Sequence, residues 1–434
     1  MATFTTKDNQ IFKDDQPWFY FADTCWSAFT NINLSDWCAY LDKRQQQGFN
    51  AVQIDILRQW DASSSAQSFE PFAVSSRTAD RYNYNYDQLN LDYFKHAGEL
   101  LDEVIKRHMT PVLVLLWGNY VAETWMHQAD FVTVPNNTMT LAQIKNYVQY
   151  ATTYFKAYDP IYFVSGDVDF PTDPQQVNSI VTAYDQVLKT AKSVDSKSLY
   201  GFHINGENDH LPKVFLDQVD FFTYQSGHGA PGQATAYQIP RAMRAKGFTG
   251  PMFNAEPCYE AMPEMGAATP SRFNAKAVRQ ASWSSVLAGA NAGITYGAHG
   301  IWSWHVTGAN HIYGNGTMMP LDWHQALTLP GAQDVSLMVQ LVSKVFAKPL
   351  QPLATVFPEN PAIIAAETQL NGESLTVLYV PANVCLDLTP LKLAVIHSVR
   401  VLDLSTRTIY QPTMTGNQLN IMASQADSLV LIKA

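Results

Sequence analysis

Along residues 1–345, short apolar runs alternate with amphipathic stretches long enough to be helices. That alternation confines the chain to repeated strand–helix units and a parallel sheet. Eight runs read as strands: Trp18–Ala22, Ala51–Leu57, Thr110–Trp117, Pro160–Ser165, Ser198–His203, Asp220–Tyr224, Pro251–Ala255 and Gly293–Tyr296. The spacing predicts helices at Ser35–Gln47, Leu91–Arg107, Leu141–Tyr154, Pro174–Ser193 and Ala275–Leu287. Ser35 is read as the N-cap of the first, and Gly48 as its stop signal. The Leu91–Arg107 stretch carries a helical apolar stripe through Phe94, Ala97, Leu100, Leu101, Val104 and Ile105. Eight such units make a closed (β/α)8 TIM barrel, an α/β fold. An open doubly wound sheet would place a Gly-rich phosphate loop after strand 1, where this chain has Asp23-Thr24-Cys25-Trp26.

Near Lys348–Pro352 the pattern changes to short β-rich runs separated by turn residues, beginning with Leu353–Phe357. This predicts a small all-β sandwich at 349–434 behind a catalytic barrel at 1–348. At 434 residues, two domains are the expectation.

The net charge of −10, with no basic stripe, argues against a nucleic-acid partner. No apolar run reaches the roughly 20 residues of a membrane span. Four scattered cysteines lack metal-ligand spacing, and no basic-then-apolar leader is visible at the N-terminus. The expected location is therefore the cytoplasm. No HExxH, calcium-loop or Gly-x-Ser-x-Gly pattern occurs, so neither a metal nor another cofactor is expected. Oligomeric state is not readable.

In a barrel, chemistry gathers where strands end. Those positions carry Asp23 and Trp26 after strand 1, Gln53 on strand 2, and Trp117 on strand 3. Strand 4 leads to Asp167 and Asp169, strand 5 to His203, and strand 6 to Tyr224, Gln225 and His228. Strand 7 delivers Glu256 and Tyr259, and strand 8 leads to Tyr296, His299 and Trp302. Carboxylates, amides, imidazoles and indoles suit a polyhydroxylated ligand, with rings to stack on sugar faces. Acetal cleavage needs one acid for the leaving oxygen and one carboxylate that attacks carbon or activates water. Asp167 and Glu256, on strands 4 and 7, can flank a sugar.

Each assignment has a structural competitor. Glu256 could pin the rim through a salt bridge, and Asp167 could cap the following helix, with Asp169 competing for its role. His228 and His299 could be satisfied core histidines, and Trp26, Trp117 and Trp302 could be barrel filler. The Arg58–Tyr86 segment is read as a long loop shaping the cleft.

The stretches Phe21–Phe29, Gln46–Gln53, Val114–Gly118, Val164–Asp167, Tyr224–His228, Ala255–Glu260, Thr295–Trp304 and Trp323–Ala332 together resemble the apiosidase-like barrels of glycoside hydrolase family 140. Members often carry a C-terminal sandwich of collagen-binding type, which this chain matches in position and size only. The resemblance implies a retaining glycosidase, with Asp167 as acid/base and Glu256 as nucleophile, acting on a carbohydrate or small glycoside. Where the family reads Gly-Gly-Asp-Arg, this chain reads Ser165-Gly166-Asp167-Val168. Rival readings keep the barrel but change the sugar from apiose, or make it a non-catalytic carbohydrate-binding protein.

Overall fold

The computed structural model describes residues 2–65, 69–78, 81–128, 135–229, 233–311, 319–354, 356–424 and 427–434. Eight parallel strands form its central sheet: Tyr20–Thr24, Ala51–Asp55, Thr110–Val114, Ile161–Phe163, Tyr200–Gly201, Phe222–Gln225, Met252–Glu256 and Gly293–Tyr296. Numbered in chain order, they run 5-4-3-2-1-8-7-6 across the sheet. Every residue in them is buried, which explains why they read as continuous apolar runs. Strand 8 pairs with strand 1 from Gly293–Tyr20 to Tyr296–Asp23.

The seam between strands 5 and 6 is different, because strand 5 is only two residues long. Among the described residues no strand ladder joins the two. Individual bonds close the barrel instead. Asp220 N donates to Tyr200 O at 2.9 Å, and Asp220 Oδ2 accepts from Tyr200 N at 2.8 Å. Thr223 Oγ1 donates to Phe202 O, and Glu207 N to Gln225 O at 2.9 Å.

Helices cover the outside at Leu34–Gln46, Leu91–Lys106, Leu141–Phe155, Pro174–Val194, Thr235–Ala245, Ala275–Leu287 and Gly331–Gln340. The first is capped by Asn33, whose side chain accepts from Asp36 N, and not by Ser35. Thr140 and Gln143 make a reciprocal capping box at the third. Asp173 caps the helix after strand 4, which removes that duty from Asp167.

Three departures from the sequence expectations stand out. Trp18 belongs to an N-terminal antiparallel sheet (Phe4–Lys7, Gln10–Lys13, Gln16–Trp18), so barrel strand 1 begins at Tyr20. Within the long loop after strand 2, Phe72–Thr78 and Arg81–Leu89 pair as an antiparallel ribbon. Leu353–Phe357 forms no strand among its described residues. Phe357 is instead a loop residue packed into the sandwich core.

Beyond a π-helical turn at Leu341–Val345, the chain becomes antiparallel. A six-stranded sheet is ordered Gln351–Pro352, Ile364–Leu370, Glu373–Val380, Ser428–Lys433, Ser398–Asp403, Thr408–Tyr410. A three-stranded sheet of Val384–Asp387, Gln418–Ile421 and Thr413–Thr415 faces it. Alternation divides the larger sheet's side chains between two cores. Ala365, Leu378, Val401 and Val430 fill the sandwich, while Ile364, Ala366, Val377, Tyr379 and Leu429 join the barrel core. No helix among the described residues is long and apolar enough to cross a membrane.

Candidate active site

Strands 4 and 7 set the two central carboxyls. Glu256 is the last residue of strand 7, and Asp167 stands four residues beyond strand 4. Asp167 has a left-handed backbone (φ 51°), a conformation that costs a non-glycine residue energy and that recurs at functional sites. The preceding Gly166 leaves no room for a side chain, since a Cβ there would meet the Trp117 ring at 2.2 Å.

Two histidines bracket Glu256. His228 Nε2 lies 2.9 Å from Glu256 Oε1, and His203 Nε2 lies 3.2 Å from Oε2 in a contact too bent for a full hydrogen bond. Their other nitrogens settle the proton positions. His228 Nδ1 accepts from Tyr259 N and His203 Nδ1 from Asp167 N, each at 3.4 Å. Both rings therefore carry hydrogen on Nε2, aimed at Glu256.

Burial alone would raise the Glu256 pKa. The Nε2–H groups of His203 and His228, turned toward the carboxylate, overturn this and hold it below the usual carboxylate range. Asp167 moves the other way. Burial raises its pKa, the Glu256 charge raises it further, and a hydrogen bond from Gln225 Nε2 offsets only part. Two carboxyls with pKa values pushed apart are the arrangement of an acid beside a base or nucleophile.

Ligand atoms of Asp167, His203 and Glu256 lie within 4.8 Å of one another.

The cleft over these carboxyls encloses about 330 Å³, inside the range of small-molecule sites. Trp26, Trp117, Asp167, Gln225, His228, Glu256, Tyr259 and Trp302 all line it. Trp26 Nε1 donates to Tyr259 Oη at 3.0 Å, and Trp125 Nε1 donates to Asp167 O at 2.7 Å. Behind Glu256, His203 is wedged against Trp26 and Trp117. Asp169 is half-buried, with its carboxyl pKa raised by burial, and lies outside the lining.

Five expected ligand-holding residues are spent elsewhere. Asp23 pairs with Arg44 and Tyr40 on the first outer helix. Gln53 Oε1 accepts from Tyr20 Oη at 2.6 Å and Thr295 Oγ1 at 3.1 Å, and its Nε2 donates to Ala255 O at 3.0 Å, deep in the barrel. Tyr224 Oη donates to Ala236 O at 3.0 Å and Tyr296 Oη to Glu260 Oε2 at 2.7 Å. His299 stacks behind Trp302 and faces Arg272. These five side chains are directed to contacts within the fold and lie outside the cleft lining.

Asn205, another residue after strand 5, also lines the cleft, and the structure adds residues that the sequence reading did not name: Gln59, Trp60, Asp61, Trp125, Gly206, Met262 and Met265. The first three follow strand 2 in the Arg58–Tyr86 loop that the sequence marked as shaping the cleft, without singling out these side chains.

A family model described as apiosidase-like, catalytic domain, matches residues 6–347. Among solved structures, a glycoside hydrolase family 5 protein from Bacteroides vulgatus superposes with a TM-score of 0.74 at 18% identity. That match covers 99% of this chain and 93% of that one. A second glycoside hydrolase gives 0.71 at 16%, covering 99% and 96%. A family 39 glycoside hydrolase from the gut symbiont Bacteroides cellulosilyticus gives 0.52 at 11%, covering 100% and 88%. At these identities the likeness is one of fold. Comparison with curated proteins gave no match.

Proposed function

Because the chain belongs to the apiosidase-like family of glycosidases, we propose that it cleaves a small glycoside or oligosaccharide with retention of configuration, through Asp167 and Glu256. One observation carries this reading. Glu256 lies between two Nε2–H histidines that favour its ionised form, while one oxygen of a carboxyl biased toward its protonated form comes within 4.8 Å of one of its own. Retaining enzymes keep their carboxyls roughly 5–5.5 Å apart, and inverting ones about 6.5–9.5 Å to admit water. The close spacing supports retention.

In the first step the Asp167 proton passes to the glycosidic oxygen as the bond to the anomeric carbon breaks. A Glu256 oxygen bonds that carbon and forms a glycosyl ester. Asp167, now a carboxylate, takes a proton from water, whose oxygen attacks the same carbon and frees Glu256. Trp26, Trp117, Tyr259 and Trp302 supply flat faces for the ring, and His228 and Gln225 steady the carboxyls. Residues 349–434 serve as a support for the barrel. The free cysteines Cys25, Cys38, Cys258 and Cys385 support a reducing, cytoplasmic setting.

The test is hydrolysis of a panel of nitrophenyl and natural glycosides, apiosides included, with the anomer of the first product followed by NMR. Glu256→Gln should lower turnover by about a thousandfold or more. Asp167→Asn should keep more activity on nitrophenyl glycosides, whose leaving group needs little protonation, than on natural ones. Wild-type rates in Glu256→Gln would remove the nucleophile assignment, and an inverted first product would remove retention.

A further inference from the structure

The loop after strand 2 carries Gln59 and Asp61 into the same cleft. Gln59 is 3% exposed and Asp61 7%, yet Gln59 Oε1 and Asp61 Oδ1 have no hydrogen-bond partner. On other walls of the cleft, the indole N–H groups of Trp117 and Trp302 are also buried and unpartnered. Buried polar atoms nearly always find partners, so two acceptors and two donors left open around one cavity describe the ligand that completes them. A sugar hydroxyl donates and accepts at once, and several on one ring match this set.

Charge narrows the class. Among the described residues the lining holds three carboxyls, Asp61, Asp167 and Glu256, and no Lys or Arg. An anionic substituent would meet the ionised members of this set, Glu256 first among them, at low dielectric with no counter-charge.

We propose that Gln59 and Asp61 form a specificity element for an uncharged, polyhydroxylated sugar. Gln59 Oε1 and Asp61 Oδ1 accept from hydroxyls of the ring held over Asp167 and Glu256, and sugars bearing carboxylate or phosphate are turned away. This rests on the glycosidase reading of the cleft and adds the substrate class.

The experiment measures affinity apart from turnover. In the Glu256→Gln protein, calorimetry gives the Kd of a neutral glycoside cleaved by wild type, its single-deoxy analogues and the matching uronide. Adding Asp61→Leu or Gln59→Leu should weaken the neutral glycoside by about tenfold or more. One deoxy analogue, lacking the contacted hydroxyl, should lose nothing further. Asp61→Asn, which removes only the charge, should narrow the gap between neutral glycoside and uronide.

Burial and the Asp167 charge raise the Asp61 pKa above that of an unfolded Asp, so at neutral pH its ionisation favours unfolding. Asp61→Asn should therefore melt at or above the parent temperature, which a merely structural residue would not do. Unchanged affinity overturns the proposal, as does an equal loss for every analogue together with a lower melting temperature. If wild type cleaves the glycoside while the Asp61 variants bind it as the parent does, the pair alone fails. If no glycoside is cleaved or bound, the glycosidase reading fails and takes the pair with it.

Discussion

At each histidine beside Glu256, a backbone amide decides where the proton sits. Tyr259 N and Asp167 N occupy the Nδ1 lone pairs, so His228 and His203 present N–H groups to the carboxylate. Activity then requires Glu256 ionised and Asp167 protonated, and kcat/KM should trace a bell. Its acidic limb lies below the usual carboxylate range and its basic limb above it. His228→Ala removes the 2.9 Å bond and leaves burial less opposed. The acidic limb should move up by about one pH unit or more, with the basic limb little changed. A pH profile with the acidic limb unmoved would show that His228 does not set the Glu256 charge. The paired carboxyls and the cleft aromatics were legible in the sequence because they follow strand ends. Asp23, Tyr224 and Tyr296 also lie at strand ends, but side chains alternate between barrel interior and outer helices. One residue of parity sends Tyr224 to the helix at Thr235–Ala245 while Gln225 reaches the cleft. A strand boundary read from apolar runs is not sharp enough to fix that parity.

Among the elements, the seam between strands 5 and 6 is the least redundant part of the barrel. It positions His203 on one side and Gln225 and His228 on the other. Asp220→Ala deletes the acceptor for Tyr200 N, a bond that no ladder backs up. The loss should be about 1–3 kcal/mol in urea denaturation, with a fall in kcat larger than a surface Asp→Ala would give. A stability change under about 0.5 kcal/mol, the range of ordinary surface substitutions, would mean the seam is held by other contacts. At the end of strand 4, Gly166→Ala should displace the Trp117 ring. Activity should drop at least about tenfold while the far-ultraviolet circular dichroism stays native. All eight strands and the five longest barrel helices follow from apolar periodicity, since buried parallel strands and amphipathic helices both imprint it. The N-terminal sheet and the ribbon after strand 2 left weaker marks. Their strands are exposed or mixed in polarity, and Pro17 runs directly into the apolar stretch of strand 1.

For the molecule as a whole, barrel and sandwich share one apolar core along a face of the six-stranded sheet, and the buried guanidinium of Arg279 is set into that joint. Arg279, on the Ala275–Leu287 helix, donates Nε and Nη2 to Asp427, both at 2.7 Å, and Nη1 to Asp334 at 2.8 Å. Asp427 is fully buried, while Asp334 keeps a second partner in Arg407 at 3.1 Å. The sequence offered no sign of this joint, since Arg279 and Asp427 stand 148 residues apart in different patterns. Removing the arginine strands a buried carboxylate, a change that costs about 3–5 kcal/mol where the remaining charge has no other partner. Arg279→Ala should therefore lower the melting temperature and weaken the coupling between the two units. Calorimetry should show the wild type unfolding in one transition and the variant in two, the sandwich leading. Arg279→Lys keeps the charge but loses the paired geometry, so it should fall between them. Because Arg279 lies outside the cleft lining, kcat/KM measured well below the transition should match wild type. A variant that still melts in one transition at the wild-type midpoint would mean that apolar contact alone holds the sandwich to the barrel.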